Sequence, residues 1–102
     1  MNKYDFYEAE KEKWKDIPFA EGYQISDWGS VRKRNHKGVF KNQIILHSKR
    51  DWHLYIRING ESHKIQNLVA QAFVPNPNNY TKVIHIDGGN HNNTPPNLKW
   101  VE

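Results

Sequence analysis

The segment Lys82-Val-Ile-His-Ile-Asp-Gly-Gly-Asn-His-Asn-Asn-Thr-Pro-Pro-Asn-Leu-Lys-Trp-Val-Glu102 carries most of the structural information in this chain. Residues 83–86 and 98–101, which are mostly apolar, flank a loop rich in glycine and asparagine, and this pattern predicts two short strands joined by a polar loop. A histidine, His85, is followed two residues later by Asp87 and then, after the loop, by Asn97-Leu98-x-Trp100, and this combination is expected in few folds.

The region before this segment predicts one helix. Its apolar side chains recur at the spacing i, i+3, i+4, i+7 and i+8, which places them on one helical face. Ser62 is expected to cap the helix, and Pro75 ends it because proline lacks the amide that would continue the hydrogen bonding. The residues of the apolar face are Ile65, Leu68, Val69, Ala72 and Phe73.

The first sixty residues indicate a short helix and several strands. Met1 to Lys13 has a weak helical pattern, and Asn59-Gly60 is the strongest hairpin signal in the chain. With no repeat or linker, we predict one compact α+β domain over residues 1–102, with small antiparallel strands and one main amphipathic helix. The expected strands are residues 22–26 and 30–34 around the turn 27–29, then 39–46 and 54–58.

Composition and charge narrow the function. Hydrophobic residues make up 36% and the mean hydropathy is −0.97, so the core is small. Cysteine is absent, which excludes disulfides and fits a cytoplasmic protein, and we expect neither a signal peptide nor a membrane span. Residues 29–50 hold seven bases and no acid. Such a stretch suits either a phosphate-binding surface or an ordinary solvated face.

Two motifs together resemble the HNH homing endonucleases. Residues 12–34 resemble the NUMOD-type DNA-binding motif that precedes the nuclease in that family, with Trp14, Pro18 and Gly29 among the matching residues. Residues 62–102 resemble the HNH region of that family: residues 68–77 resemble the helix and exit loop that precede the HNH, or ββα-metal, finger, and residues 82–101 resemble the two strands of the finger. The finger's final helix would follow Glu102, so the resemblance implies an incomplete ββα-metal-like hairpin.

The resemblance assigns chemistry to the finger. It implies that His85 is the general base that activates water, and that Asn97 ties the loop together and helps to orient the histidine. Family positions that hold a divalent cation, Mg²⁺ or Mn²⁺, are altered, because Ile84 stands where an oxygen ligand is usual. Asp87 and His91 are the remaining candidate metal ligands.

Basic and aromatic residues provide the candidate DNA contacts. Trp28 and Trp52 lie beside bases and could stack on nucleobases, whereas Trp14 and Trp100 are expected to fill the core. We expect no functional role for the scattered His36, His47, His53 and His63. The expected phosphate contacts are Arg32, Lys33, Arg34, Lys49, Arg50 and Arg57.

Three functions stay open at this point. The favoured one is a DNA-binding protein derived from an HNH homing endonuclease, with weak or no cleavage. The first alternative is an active, metal-dependent nicking enzyme that uses His85. The second is a phage accessory protein that binds a host protein or sequesters a nucleotide. Each would act as a monomer or homodimer in the cytoplasm of a bacterial or phage-infected cell.

Overall fold

The computed structural model describes residues 11–102, so the expected helix from Met1 to Lys13 lies almost wholly outside them. In this part of the chain, three small antiparallel sheets surround one α-helix, and the predicted α+β class is confirmed. A 3-10 turn at Pro95–Asn97 precedes the last strand. The elements are β1 (Trp14–Asp16), β2 (Tyr23–Ser26), β3 (Val31–Arg34), β4 (Phe40–Asn42), β5 (Leu46–His47), β6 (Leu54–Ile58), β7 (Glu61–Lys64), α1 (Ile65–Phe73), β8 (Lys82–His85) and β9 (Leu98–Val101).

The first sheet has the order β1-β2-β3-β4 and one buried face. Ile25 pairs with Val31 across β2 and β3, and both side chains are buried against the core. Because side chains alternate along a strand, the neighbouring positions lie on the opposite face. We call this opposite side the outer face; it carries Trp14, Gln24, Arg32, Arg34 and Phe40.

The second sheet, β5-β6-β7, confirms the hairpin predicted at Asn59-Gly60. Asn59 and Gly60 have φ values of 52° and 86°, as required at the two central positions of a type I′ turn. Ile56 and Ile58 of β6 are buried, while Arg57 between them is exposed. The alternation predicted from the sequence is therefore present.

Helix α1 lies at the centre of the core. Ile65, Val69 and Ala70 have no solvent-exposed area, and the helix contacts strands from all three sheets. The third sheet is the predicted pair β8 and β9, with His85 opposite Leu98. One short helix thus supplies the apolar surface against which each small sheet buries one face.

The cap expected at Ser62 is wrong. Ser62 pairs with Arg57 in the β6–β7 hairpin, and this strand pairing continues to Lys64 before the helix begins at Ile65. Lys64 provides no side-chain cap to the helix. At the other end Val74 is extended, as expected for the residue before Pro75.

Two other local predictions also need correction. Trp14 begins strand β1 and its ring lies on the outer face, not in the core; Trp100 packs partly buried against the core and donates its indole N–H to Val74 O at 3.1 Å. The single strand expected over 39–46 is two strands, β4 and β5, in different sheets. The chain leaves the first sheet after Gln43, whose N–H donates to Val31 O at 2.8 Å.

Candidate functional site

His85 ends strand β8 with its ring almost enclosed, at 8% exposure. Its Nε2–H donates to Asn93 Oδ1 at 2.6 Å, and Asn93 is itself only 3% exposed. Because an amide oxygen can only accept, this contact requires a proton on Nε2. The contact therefore holds the imidazole in one orientation, with Nε2 toward Asn93.

Asn97 braces the loop between the strands of the finger. Its Nδ2 donates to Asn92 O at 2.8 Å, and its Oδ1 accepts from the Asp87 amide at 3.0 Å. The same residue's backbone oxygen accepts from Ile86 N at 2.8 Å. Asn97 thus bonds to both ends of the loop, whereas the side chain in direct contact with His85 is Asn93.

The turn after β2, residues 27–29, packs against Asn93 and so supports the contact between Asn93 and His85. Gly29 has φ of 86°, and a Cβ there would lie 3.3 Å from Asn93 Cβ and 3.3 Å from Ile65 Cγ2. Only glycine gives both the left-handed backbone and the close approach without displacing a neighbour. The turn 27–29 of the first sheet therefore packs directly against the residue that orients His85.

An open groove of about 480 Å³ runs beside His85. Lys64 and Lys82 line it together with the glycines of the 88–90 loop. His53 also lines it, with its ring centroid 6.0 Å from that of His85 and the ring planes 19° apart. Two histidines and two lysines on one groove favour a phosphate-bearing ligand.

His53 is the main residue that sequence reasoning missed. Burial lowers the pKa of His53 below 6.5, and repulsion from Lys64 lowers it further. Its Nδ1 atom is buried and has no hydrogen-bond partner. Neither periodicity nor motif spacing singled out this residue, because it reaches the groove from a turn 32 positions before His85.

That turn, residues 48–53, is a well-bonded structure. Asp51 accepts hydrogen bonds from the Tyr55 hydroxyl at 2.5 Å and the His53 amide at 3.0 Å, and these bonds, that from the hydroxyl most strongly, lower the pKa of Asp51 to about 2. The turn exposes Lys49, Arg50 and the ring of Trp52, which is 56% exposed. Three predicted DNA contacts therefore share one hydrogen-bonded turn with a histidine that lines the groove.

The predicted contacts on the first sheet have different surroundings. Arg32 lies between the rings of Trp14 and Phe40, each centroid 4.1 Å from its guanidinium carbon, and its Nε donates to Gln24 at 2.8 Å. Arg34 is exposed, 5.8 Å from the Phe40 ring. The guanidinium of Arg32 is thus engaged in packing, while Arg34 is open to solvent.

The remaining predicted contacts are dispersed. Lys33 lies over the Tyr23 ring at 5.2 Å, and Arg57 donates to Gly60 O at 2.9 Å in the second hairpin. Trp28 belongs to the turn 27–29 and is 37% exposed. None of the three lines the groove beside His85.

The two candidate metal ligands, Asp87 and His91, form contacts with different residues. Asp87 Oδ1 accepts from Gly89 N at 2.8 Å, which is the main cause of the lowered pKa of Asp87. His91 Nε2 lies 2.9 Å from Trp52 O and 3.2 Å from His47 Nε2. Within residues 11–102, no three His, Cys, Asp or Glu side chains form a cluster able to hold a metal, and Ile84 adds no oxygen. These residues alone do not fit the catalytic cation of an HNH finger.

Strands β1 to β6 and the Asn59-Gly60 turn belong to a known sequence motif. Residues 12–60 match the family model of the NUMOD4 motif. The chain is also 35% and 32% identical to two uncharacterized HNH endonucleases of Acanthamoeba polyphaga mimivirus, over 88% and 87% of its length, and spans 24% and 27% of theirs.

The particular relatives include the DNA endonuclease I-HmuI of Bacillus phage SP01, at 33% identity over 87% of this chain and 52% of that protein. A solved structure concerning DNA binding and cleavage by the HNH homing endonuclease I-HmuI superposes with a TM-score of 0.68 at 32% identity, over 87% of this chain and 52% of that one. The chain is therefore a NUMOD4-containing relative of the HNH homing endonucleases, and the resemblance found in the sequence is confirmed. It spans about a quarter to a half of these relatives.

The described residues also bear on membrane association. Over residues 11–102, the structure has no helix with the length and apolarity needed to cross a bilayer.

Proposed function

We propose that this chain binds duplex DNA, with the sugar-phosphate backbone lying in the groove beside His85 and against the turn 48–53. One observation carries the proposal: this turn joins Lys49, Arg50 and exposed Trp52 to His53, which lines the same groove as His85. Cations beside a groove attract phosphates, and an exposed indole offers a stacking surface. The relation to I-HmuI supports DNA as the ligand.

The first sheet adds a second contact region. Arg34 is exposed on the outer face, where Arg32 is held flat between two rings. We assign phosphate contact to Arg34 and a packing role to Arg32. An activity on DNA would place the protein in the cytoplasm of a bacterial or phage-infected cell.

Cleavage is the second candidate function, and the geometry of His85 favours it. Hydrolysis of a phosphodiester needs a base that takes a proton from the attacking water, and a histidine whose ring is held in one orientation by Asn93 suits that task. A divalent cation would stabilise the charge that develops on the phosphate, but residues 11–102 lack a fitting ligand set. We therefore propose that this chain binds DNA firmly and cleaves it weakly or not at all.

A supercoiled-plasmid gel separates these functions. The wild type, His85→Ala and the double variant Lys64→Ala/Lys82→Ala are incubated with plasmid and Mg²⁺ or Mn²⁺. We expect retardation of intact plasmid by the first two proteins and weaker retardation by the double variant. Lys99→Ala is the matched control, since Lys99 is exposed on the same hairpin but does not line the groove.

The other outcomes are equally informative. Nicking that disappears in His85→Ala would establish the enzyme and require a cation ligand from elsewhere. The absence of retardation and of nicking would refute DNA as the ligand. A free nucleotide that displaces the plasmid at micromolar concentration would instead favour the nucleotide-sequestering alternative.

A further inference from the structure

Two histidines that the proposed DNA contact does not use meet on the surface. Nε2 of His47 in β5 and Nε2 of His91 in the finger loop lie 3.2 Å apart, although the residues are 44 positions apart in the chain. The rings are 87° apart, with centroids at 4.6 Å. Both side chains are exposed, so ions in solution can reach the two nitrogen atoms.

The separation of these atoms suits a shared metal ion. Two imidazole nitrogens bound at 2.0–2.1 Å to one tetrahedral ion lie roughly 3.3 Å apart. The two Nε2 atoms therefore already lie at the spacing that one bound ion requires, and binding requires the exposed rings to turn so that both nitrogen lone pairs face the ion. The ring centroids of the groove pair, His53 and His85, lie farther apart, at 6.0 Å against 4.6 Å for His47 and His91.

The backbone adds an oxygen on the same side. Trp52 O lies 2.9 Å from His91 Nε2, and Trp52 adopts a left-handed φ of 63°. Its amide donates to Ser48 O at 2.9 Å, and its ring contacts His47 with centroids 5.5 Å apart. The turn thus holds the carbonyl beside the histidine pair in a backbone conformation that is unfavourable for tryptophan.

We propose that His47 and His91 bind one zinc-class ion, Zn²⁺, Ni²⁺ or Cu²⁺, with the Trp52 carbonyl as a third donor and water completing the shell. Imidazole suits these borderline metals, whereas Mg²⁺ prefers an octahedron of oxygens. The site differs from the catalytic cation site of an HNH finger, which would lie at His85. A bound ion would cross-link the finger loop to the turn 48–53 and stiffen one wall of the groove.

Calorimetric titration of ZnCl₂ into the tag-free full chain tests the proposal. We expect one ion per chain with a micromolar Kd, because only two side chains ligate it. His47→Gln and His91→Gln each should weaken binding by at least about tenfold, while the amide keeps a polar contact in place. His36→Gln is the control, since His36 is exposed in the β3–β4 turn away from the pair.

A second measurement, NMR line broadening by a paramagnetic metal ion, uses the wild-type chain and so does not require that the variants fold. Substoichiometric Ni²⁺ or Cu²⁺ should broaden the NMR signals of His47 and His91 before those of His36 and His63, and Mg²⁺ should leave all four unchanged. Undiminished Zn²⁺ affinity in the double His47→Gln/His91→Gln variant would overturn the proposal. Uniform broadening of all exposed histidines would overturn it too.

Discussion

Arg32 is predicted from the sequence to contact DNA, but in the structure its guanidinium lies against two aromatic rings. Its guanidinium is stacked between Trp14 and Phe40 at 4.1 Å from each ring centroid, and it donates to Gln24. Gln24 in turn donates to Asp16 at 2.8 Å. We predict that Arg32→Ala destabilises the protein because it dismantles this arrangement on the outer face.

The magnitude follows from the contacts. Each cation–π contact of a half-exposed arginine contributes about 0.5–1 kcal/mol. The hydrogen bond to Gln24 adds about 1 kcal/mol. The expected loss for Arg32→Ala is therefore about 2–3 kcal/mol, and with a urea m-value of about 1–1.5 kcal/mol/M for a chain of this size it lowers the midpoint by roughly 2 M.

Urea denaturation followed by tryptophan fluorescence and by circular dichroism measures this shift. Arg34→Ala is the matched control, because Arg34 is an exposed arginine on the same strand and lies 5.8 Å from the Phe40 ring. Its loss should change the free energy of unfolding by less than about 0.5 kcal/mol. If Arg32→Ala unfolds at the wild-type urea concentration, the packing role of Arg32 is wrong.

Two further predictions concern the supports of the site. Gly29→Ala should destabilise the fold by about 1–2 kcal/mol and shift the imidazole NMR signals of His85, because the new Cβ presses on Asn93; unchanged signals would contradict that link. Tyr55→Phe removes the strongest contact to Asp51 and should raise the pKa of Asp51 from about 2 toward 3.8 in a carboxyl NMR titration. Since the folded pKa lies below the unfolded one, this contact stabilises the wild type above pH 3.8, and the stability is lost as pH falls toward 2. A pKa that stays near 2 in the variant would contradict the assigned cause.

The fold was largely predictable where local patterns are strong. Asn59-Gly60 predicted a hairpin, and the structure has it. The i, i+3, i+4 spacing of Ile65, Leu68 and Val69 predicted a helix, which is also present. The predictions were wrong where pairing with a residue farther along the chain determines the local structure. Ser62 resembled a helix cap, but its position is set by pairing with Arg57 across the hairpin.

The site was predictable only in its central residues. The motif located His85 and Asn97, since their spacing lies within one hairpin. The motif could not predict that His53 and Lys64 lie beside His85, or that Arg32 packs against Trp14 and Phe40, because contacts between different strands have no fixed spacing in the chain. The positions of these residues are set by the packing of the three sheets around α1.

The salt dependence of duplex DNA binding tests the central claim most directly. The dissociation constant for a labelled duplex is measured by fluorescence anisotropy between 50 and about 300 mM salt, for wild type, Lys49→Ala/Arg50→Ala and Lys99→Ala. We predict a steep slope of log affinity against log salt, reduced by about 2 in the double variant and unchanged in Lys99→Ala. A slope near zero in the wild type, or an equal slope in all three proteins, would contradict the proposed contact of the turn and groove with DNA.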